Sequence, residues 1–412
     1  MGEDMAPLID ILQAREARER EQKRLLLRSG VTLVCFTMNI PGTDKRSPLI
    51  DFAFDRGMAA LRRQLPSVFS EVIRRDAGNE GYLCTPLPAA EVKKTCLRLE
   101  DGPIGRLYDM DVLTPQGEKL SREVPRTCLL CDRPAVLCAR ADTHGQAAVL
   151  AETNRRLRAF AAKALADDAV SALQKEVRLT PKPGLVDANN SGAHSDMTLS
   201  LMLASAESLR PYFHFCAETA MEDPDCMPLL QKAGIEAEKA MLRVTGGVNT
   251  HKGAIYAIGI LTAACAACLA HDRPVFAQAA AYAKAGARTR ESSNGAAALS
   301  LYGGRGARQE AEEGFPLAKK ATLLLRLGIP AQEVLLRLIT ECQDTNLLHR
   351  GGKDGLAFAR SWAGRVLSAD PARRFALLAD MDRVMIEKNL SPGGCADLIA
   401  AAFFLRDLPF AK

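Results

Sequence analysis

The sequence predicts two domains of different class: an N-terminal α+β domain followed by an all-α domain. Length permits this, since 412 residues suffice for two or three domains of roughly 100–200 residues each. The first observation is VTLVCFTMNIPG (Val31–Gly42), an alternating β-branched run closed by Pro41-Gly42, which reads as a strand and a turn. The second is Ala147–Val177, an Ala/Leu/Arg-rich stretch with no proline or glycine. The third is that alternation almost disappears from there to Lys412. Helical segments follow one another instead, punctuated by PKPGLVDANNSG, TGGVNTHKG, YGGRGARQEAEEGFP, HRGGKDG and NLSPGG. The change of texture sets the domains at 1–165 and 166–412, with the join inside a helix.

In order along the chain, Pro7–Leu27 is charged and helix-periodic, and residues 48–76 read as helix. Strand and turn return around Gly102–Val112, and TCLLC with AVLCARA, over Cys128–Ala141, reads as further strand. The apolar run Ala254–Ala270 is interrupted by Gly259 and Thr262 and is short of the ~20 residues of a membrane span, so a buried helix is expected and no membrane partner. Net charge is +5. Residues 1–165 carry 26 basic and 22 acidic side chains and the remainder 28 and 27, so neither part has the field of a polyanion-binding domain. With 5% aromatics, nucleic acid is not an expected partner. Twelve cysteines and an opening, MGEDMAPLID, with acids where a leader needs bases suggest free thiols in a reducing cytoplasm.

Chemistry concentrates first in Gly105–Val112, GRLYDMDV. Alternation along a strand puts Asp109 and Asp111 on one face. Two close carboxylates repel unless a cation lies between them, and Mg²⁺ is commonly held by one or two carboxylates plus substrate phosphates. Arg106 could bind a phosphate oxygen. The alternative is a surface strand end with two solvated acids. Cys128-x-x-Cys131 with Cys138 and His144 could form a zinc site or a redox pair. The flanking Leu129, Leu130, Ala135 and Val136 read as core, however, and the spacing fits no standard finger, so buried thiols are expected.

Four loops stand out in the helical part. In EVRLTPKPGLVD, Pro181 and Pro183 present Lys182 rigidly, Gly184 allows a turn and Asp187 follows, with His194 and Asp196 beyond. In GGVNTHKG, Asn249, His251, Lys252 and Gly253 feed a helix N-terminus, a natural phosphate seat. Arg308 and Glu310 mark the third loop, and Asp344, Asn346 and Arg350 the fourth. Any one loop could be an ordinary cap or turn; helix caps alone do not require so many basic residues.

NIPG, GRLYDMDV and RTCLLC, in that order, resemble the citrate lyase holo-acyl-carrier-protein synthase family (apo-citrate lyase phosphoribosyl-dephospho-CoA transferase). The resemblance implies transfer of a phosphoribosyl-dephospho-CoA group to a serine of the acyl carrier (gamma) subunit of apo-citrate lyase, with release of diphosphate. It also implies a catalytic and metal-binding pair, Asp109 and Asp111, with Arg106 on a phosphate. The paired-aspartate segment is similar to that of nucleotidyltransferases. EVRLTPKPGLVDANNSGAHSDM, GVNTHKG, GARQEAEEGFP, DTNLLHRGG and NLSPGGCADLIA resemble triphosphoribosyl-dephospho-CoA synthase. That resemblance implies an all-α fold that joins ATP, with Mg²⁺, to the 2′-hydroxyl of 3′-dephospho-CoA and expels adenine. Developing oxocarbenium charge would suit a carboxylate among Asp187, Asp196, Glu310 and Asp344. His194 or His251 would serve as base, and Lys182, Lys252, Arg308 and Arg350 would meet phosphates. A narrower reading keeps only this synthase catalytic and makes the N-terminal part a carrier-docking module.

Overall fold

The alternating run at Val31–Gly42 forms β1 (Thr32–Met38), an inner strand of an antiparallel sheet ordered β2-β3-β1-β4. The computed structural model describes residues 5–286, 301 and 306–411. Tyr302–Arg305 of the YGGRG segment, and Met1–Asp4 of the opening, lie outside the described residues. The chain divides into two units, Met1–Ala161 and Ala162–Lys412.

In unit one, α1 (Met5–Ser29) precedes β1, and α2 (Pro48–Gln64) follows it. Ser47 Oγ accepts the Ile50 N–H at 3.2 Å and Pro48 sits in the first turn, which starts α2. The helix expected over 48–76 stops at Gln64. Leu65 is extended because Pro66 follows, and VFSEVIRR then alternates as β2 (Phe69–Arg75). β3 (Gly78–Thr85), α3 (Ala89–Glu100) and β4 (Tyr108–Leu113) complete the sheet and its cover. One face packs Leu33, Cys35, Tyr82, Cys84 and Leu113 against Leu25 and Leu26 of α1. On the other, Phe36 stacks on Phe54 of α2, ring centroids 4.8 Å apart, and meets Tyr108 edge-on. A Cβ at Gly57 would lie 2.6 Å from the Phe36 ring, so glycine lets α2 approach. The strand expected over Cys128–Ala141 is instead a loop followed by the short α4 (Ala135–Arg140). Pro134 has no N–H for a ladder, and only the Thr127–Pro134 bridge forms.

The helix α5 (Gln146–Arg178) carries the chain into unit two, where the described residues contain no strand. There follow α6 (Leu199–Ser208), α7 (Arg210–Glu222), α8 (Met227–Val244), α9 (Lys252–His271) and α10 (Val275–Ala285). After the undescribed stretch come α11 (Ala307–Glu312), α12 (Pro316–Arg326), α13 (Ala331–Glu341), α14 (Thr345–Ser368), α15 (Pro371–Glu387) and α16 (Gly393–Arg406). The apolar run is α9. It is long and apolar enough to cross a membrane, yet it is buried among α7, α10 and α16. Small side chains permit that crowding. Gly259 faces Tyr212, whose hydroxyl donates to the Ile255 carbonyl, and a Cβ there would meet Tyr212 Oη at 2.2 Å. The helix α14 is broken at Gly352 (φ 61°, ψ −160°), within the HRGG segment.

Candidate functional site

The helical loops of unit two surround one cavity of ≈ 1490 Å³. Lys182, His194, Asn249, His251, Lys252, Gly253, Arg308, Glu310, Asp344, Asn346 and Arg350 all lie in its wall. Three sequence candidates do not. Gly184 (φ 68°) packs its backbone on Leu390 and donates its N–H to Asp382. Asp187 accepts the N–H groups of Lys182, Asn189 and Asn190 and so folds its own loop. Asp196 is exposed, although its charge reaches His194 and Arg350.

At the centre, Lys182 is 1% exposed and its Nζ sits 2.5 Å from Glu176 Oε1. Asp344 begins α14, accepting the N–H groups of Asn346 and Leu347, and also accepts that of Cys395 in α16. One carboxylate thus ties two helix N-termini together at the wall. Burial nevertheless raises its pKa. Asp397 stands on α16 against Gly253, where a Cβ would lie 1.9 Å from Oδ2. Burial, then Glu176 and Asp344, hold its carboxyl well above the usual carboxylate range. Glu176 and Asp397 were not candidates in the sequence. Glu176 opens EVRLTPKPGLVD and Asp397 lies within NLSPGGCADLIA, but each reads there as an ordinary polar position on a helix.

His251 precedes α9. Its Nδ1 is 2.8 Å from Ser205 Oγ, and burial, with Lys182 second, pushes the ring down to about 4. Its Nε2, Tyr256 Oη and Arg360 Nε are buried without a hydrogen-bond partner, and all three residues line the cavity. Three buried polar atoms without a partner, on residues of one cavity wall, need a partner that the chain itself does not supply. His194 receives an Arg350 N–H on Nδ1 at 3.1 Å and has Ser391 Oγ at 3.0 Å from Nε2. Burial and Arg350 lower its pKa, so it is neutral with the proton on Nε2. The bases are anchored. Lys252 binds Glu238, Arg308 binds the Ala283 and Gly286 carbonyls, and Arg350 binds the Ala193 carbonyl and Asn389. Glu310 accepts the Leu317 N–H at the start of α12.

In unit one, three separate segments meet. Asn39 N–H donates to the Leu107 carbonyl at 2.7 Å. Arg106 donates to the Thr127 carbonyl, and Arg126 to the Tyr108 carbonyl and to Asp109 Oδ1. NIPG, GRLYDMDV and RTCLLC therefore form one patch. Asp109 and Asp111 pair across from Thr37 and Cys35 and share a face of the edge strand β4. Their side chains are 43% and 26% exposed. Lys119 holds Asp111 at 2.6 Å. Beneath them the buried Glu100 binds Arg122, Arg126 and the Met110 N–H. Arg106 is half-buried, and burial followed by neighbouring Arg126 lowers its pKa. Such an arginine favours an anion beside it. Next to the patch, Cys128, Cys131, Cys138 and His144 gather their ligating atoms within 4.8 Å of one another.

The sequence model of the ATP:dephospho-CoA triphosphoribosyl transferase family matches residues 162–411. That of the apo-citrate lyase phosphoribosyl-dephospho-CoA transferase family matches residues 6–160. Protein CitXG of Haemophilus influenzae is 34% identical, over 96% of this chain and 94% of its own length. Protein CitXG of Leuconostoc mesenteroides subsp. cremoris is 29% identical, over 99% and 98%. A probable 2-(5''-triphosphoribosyl)-3'-dephosphocoenzyme-A synthase of Stutzerimonas stutzeri is 42% identical, over 60% of this chain and 91% of its own. The chain belongs to the ATP:dephospho-CoA triphosphoribosyl transferase family through its second unit and, over nearly its whole length, to the CitXG proteins.

Proposed function

We infer that the chain performs two consecutive transfers in building the citrate lyase prosthetic group. Unit two joins the ribose of ATP to the 2′-hydroxyl of 3′-dephospho-CoA; adenine leaves and the triphosphate stays. Unit one moves the product to a serine of the acyl carrier subunit of apo-citrate lyase and releases diphosphate. The observation that carries this reading is the convergence of the helical loops on one cavity. At ≈ 1490 Å³ it exceeds the roughly 300–1,000 Å³ of ordinary ligand pockets, as two nucleotide substrates require.

Roles follow from placement. Asp344 and Glu176 face the space where oxocarbenium charge would develop. Asp397 keeps its proton to unusually high pH and is placed to give it to departing adenine. His251 Nε2 is the free acceptor for the 2′-hydroxyl proton, and an anionic triphosphate nearby would raise its basicity from the value of the empty cavity. Among the described residues the wall holds Lys182, Lys252, Arg308, Arg350 and Arg360, outnumbered, with the protonated Asp397 left aside, by six acids: Glu176, Glu238, Glu310, Glu313, Glu341 and Asp344. A bare triphosphate is undercompensated there, which favours its entry with Mg²⁺.

In unit one, Asp109 and Asp111 are half-exposed hard oxygen donors on one strand face, a set that fits Mg²⁺ completed by substrate phosphates. Such a cation would neutralise the leaving diphosphate, while Arg106 and Arg126 hold its oxygens. This reading assigns the unit a nucleotidyltransferase-like role. Twelve free cysteines suit a reducing cytoplasm. The deciding experiment incubates the pure chain with ATP, dephospho-CoA, Mg²⁺ and apo carrier, and follows adenine and carrier mass. No adenine overturns the assignment of unit two; adenine without a carrier mass gain overturns that of unit one.

A further inference from the structure

We propose that Cys128, Cys131, Cys138 and His144 hold a structural zinc ion that fixes the RTCLLC loop beside Asp109. Cys131 Sγ lies 3.5 Å from Cys138 Sγ and 3.3 Å from His144 Nε2, and all four ligating atoms fall within 4.8 Å of one another. A tetrahedral zinc with bonds of about 2.3 Å to sulfur and about 2.0 Å to nitrogen sets S–S edges near roughly 3.8 Å and S–N edges near roughly 3.5 Å. The observed contacts are of that size. The backbone is arranged to present them. Cys128 N–H donates to the Arg133 carbonyl at 2.7 Å and Ala135 N–H to the Arg126 carbonyl at 2.8 Å, closing a tight turn around the first two thiols. Cys138 follows on α4, and the Thr143 N–H returns to the Cys138 carbonyl, bringing His144 back.

Apolar packing does little to hold the segment. The expectation of buried thiols rested on Leu129, Leu130, Ala135 and Val136 being core. Leu130 and Val136 are instead 37% and 49% exposed, as is neighbouring Leu137 at 54%. From residue 126 to 145 only Cys138 is buried. Apolar burial there cannot offset the ordering of some twenty residues at about 1–2 kcal/mol each, and a six-residue helix is not stable alone. A disulfide would use two of the four groups and leave a thiol and an imidazole gathered for no reason. Three thiolates and an imidazole are soft and borderline donors, which select zinc over Mg²⁺ or Ca²⁺. Four protein ligands leave no open position, so the ion is structural. What it secures is plain from the contacts: Arg106 and Arg156 donate to the Thr127 and Leu129 carbonyls, and Arg126 reaches Glu100 and Asp109.

The test is metal analysis of the full chain, purified under reducing conditions without chelator, and it is independent of either transfer. One zinc per chain is expected, and exchange with Co²⁺ should give thiolate-to-cobalt charge transfer and tetrahedral d–d bands. His144→Cys should keep the metal, whereas His144→Ala and Cys131→Ala should lose it. Because those two variants could also unfold, the native chain decides. Substoichiometric zinc after incubation with Zn²⁺ and desalting, or an octahedral cobalt spectrum, overturns the proposal. So does a metal-free chain whose intact mass shows a disulfide among these cysteines.

Discussion

A methyl group on residue 253 would lie 1.9 Å from Asp397 Oδ2, so only glycine at the start of α9 admits that carboxyl. Gly253→Ala should displace Asp397 from the cavity while leaving the helices intact. Release of adenine from ATP and dephospho-CoA should fall by roughly a hundred- to ten-thousand-fold, the range of a lost general acid. Circular dichroism should be unchanged. Full activity in the variant would remove Asp397 from the chemistry.

Lys182 and Glu176 form a buried ion pair at 2.5 Å. Lys182→Ala leaves an unpaired carboxylate and should destabilise unit two by about 3–5 kcal/mol, whereas replacing both residues by apolar ones of similar volume should restore most of that stability. Denaturation of single and double variants checks this. If the pair also serves the substrate, the stable double variant stays inactive in adenine release.

Burial, aided by Lys182, pushes the His251 imidazole down to about 4. In the unfolded chain it titrates near ~6.5. Below that pH the unfolded state binds a proton the folded state refuses, so stability is lost as pH falls from about 6.5 towards about 4 and is fully present above. Denaturant midpoints across that window should decline, and His251→Asn should flatten the decline. An identical slope in the variant would assign the effect elsewhere.

Asp109 and Asp111 are both outside the second unit, which holds the cavity. Asp109→Asn or Asp111→Asn should abolish the carrier mass gain and leave adenine release unchanged. A merely docking role for unit one would leave carrier modification nearly intact.

Glu100 is 6% exposed and accepts from Arg122, Arg126 and Met110 N–H. Glu100→Leu strands two arginines and should cost about 3–5 kcal/mol in unit one. A thermal transition that stays in place would show that Arg122 and Arg126 find water instead.

By itself the sequence determined the class of each part, the family and the loops that carry chemistry. Period-two and helical patterns are local, and Gly, Pro and His in loops stand out because nothing in a helix requires them. The paired aspartates were legible for the same reason, since alternation in a strand fixes their common face. The helix expected over 48–76 failed at Pro66, and the strand expected over Cys128–Ala141 failed at Pro134, where one residue changes what its neighbours can do. Only the tertiary structure decided which loops share a cavity. It turned Gly184 and Asp187 to folding their own loop, folded Glu176 back onto Lys182 six residues further along, and brought Asp397 from α16 to Gly253 at the start of α9. It also revealed that the cysteine-rich segment has no core. Burial and proximity across hundreds of residues leave no periodic trace, because they depend on how helices pack and not on what lies beside a residue in the chain.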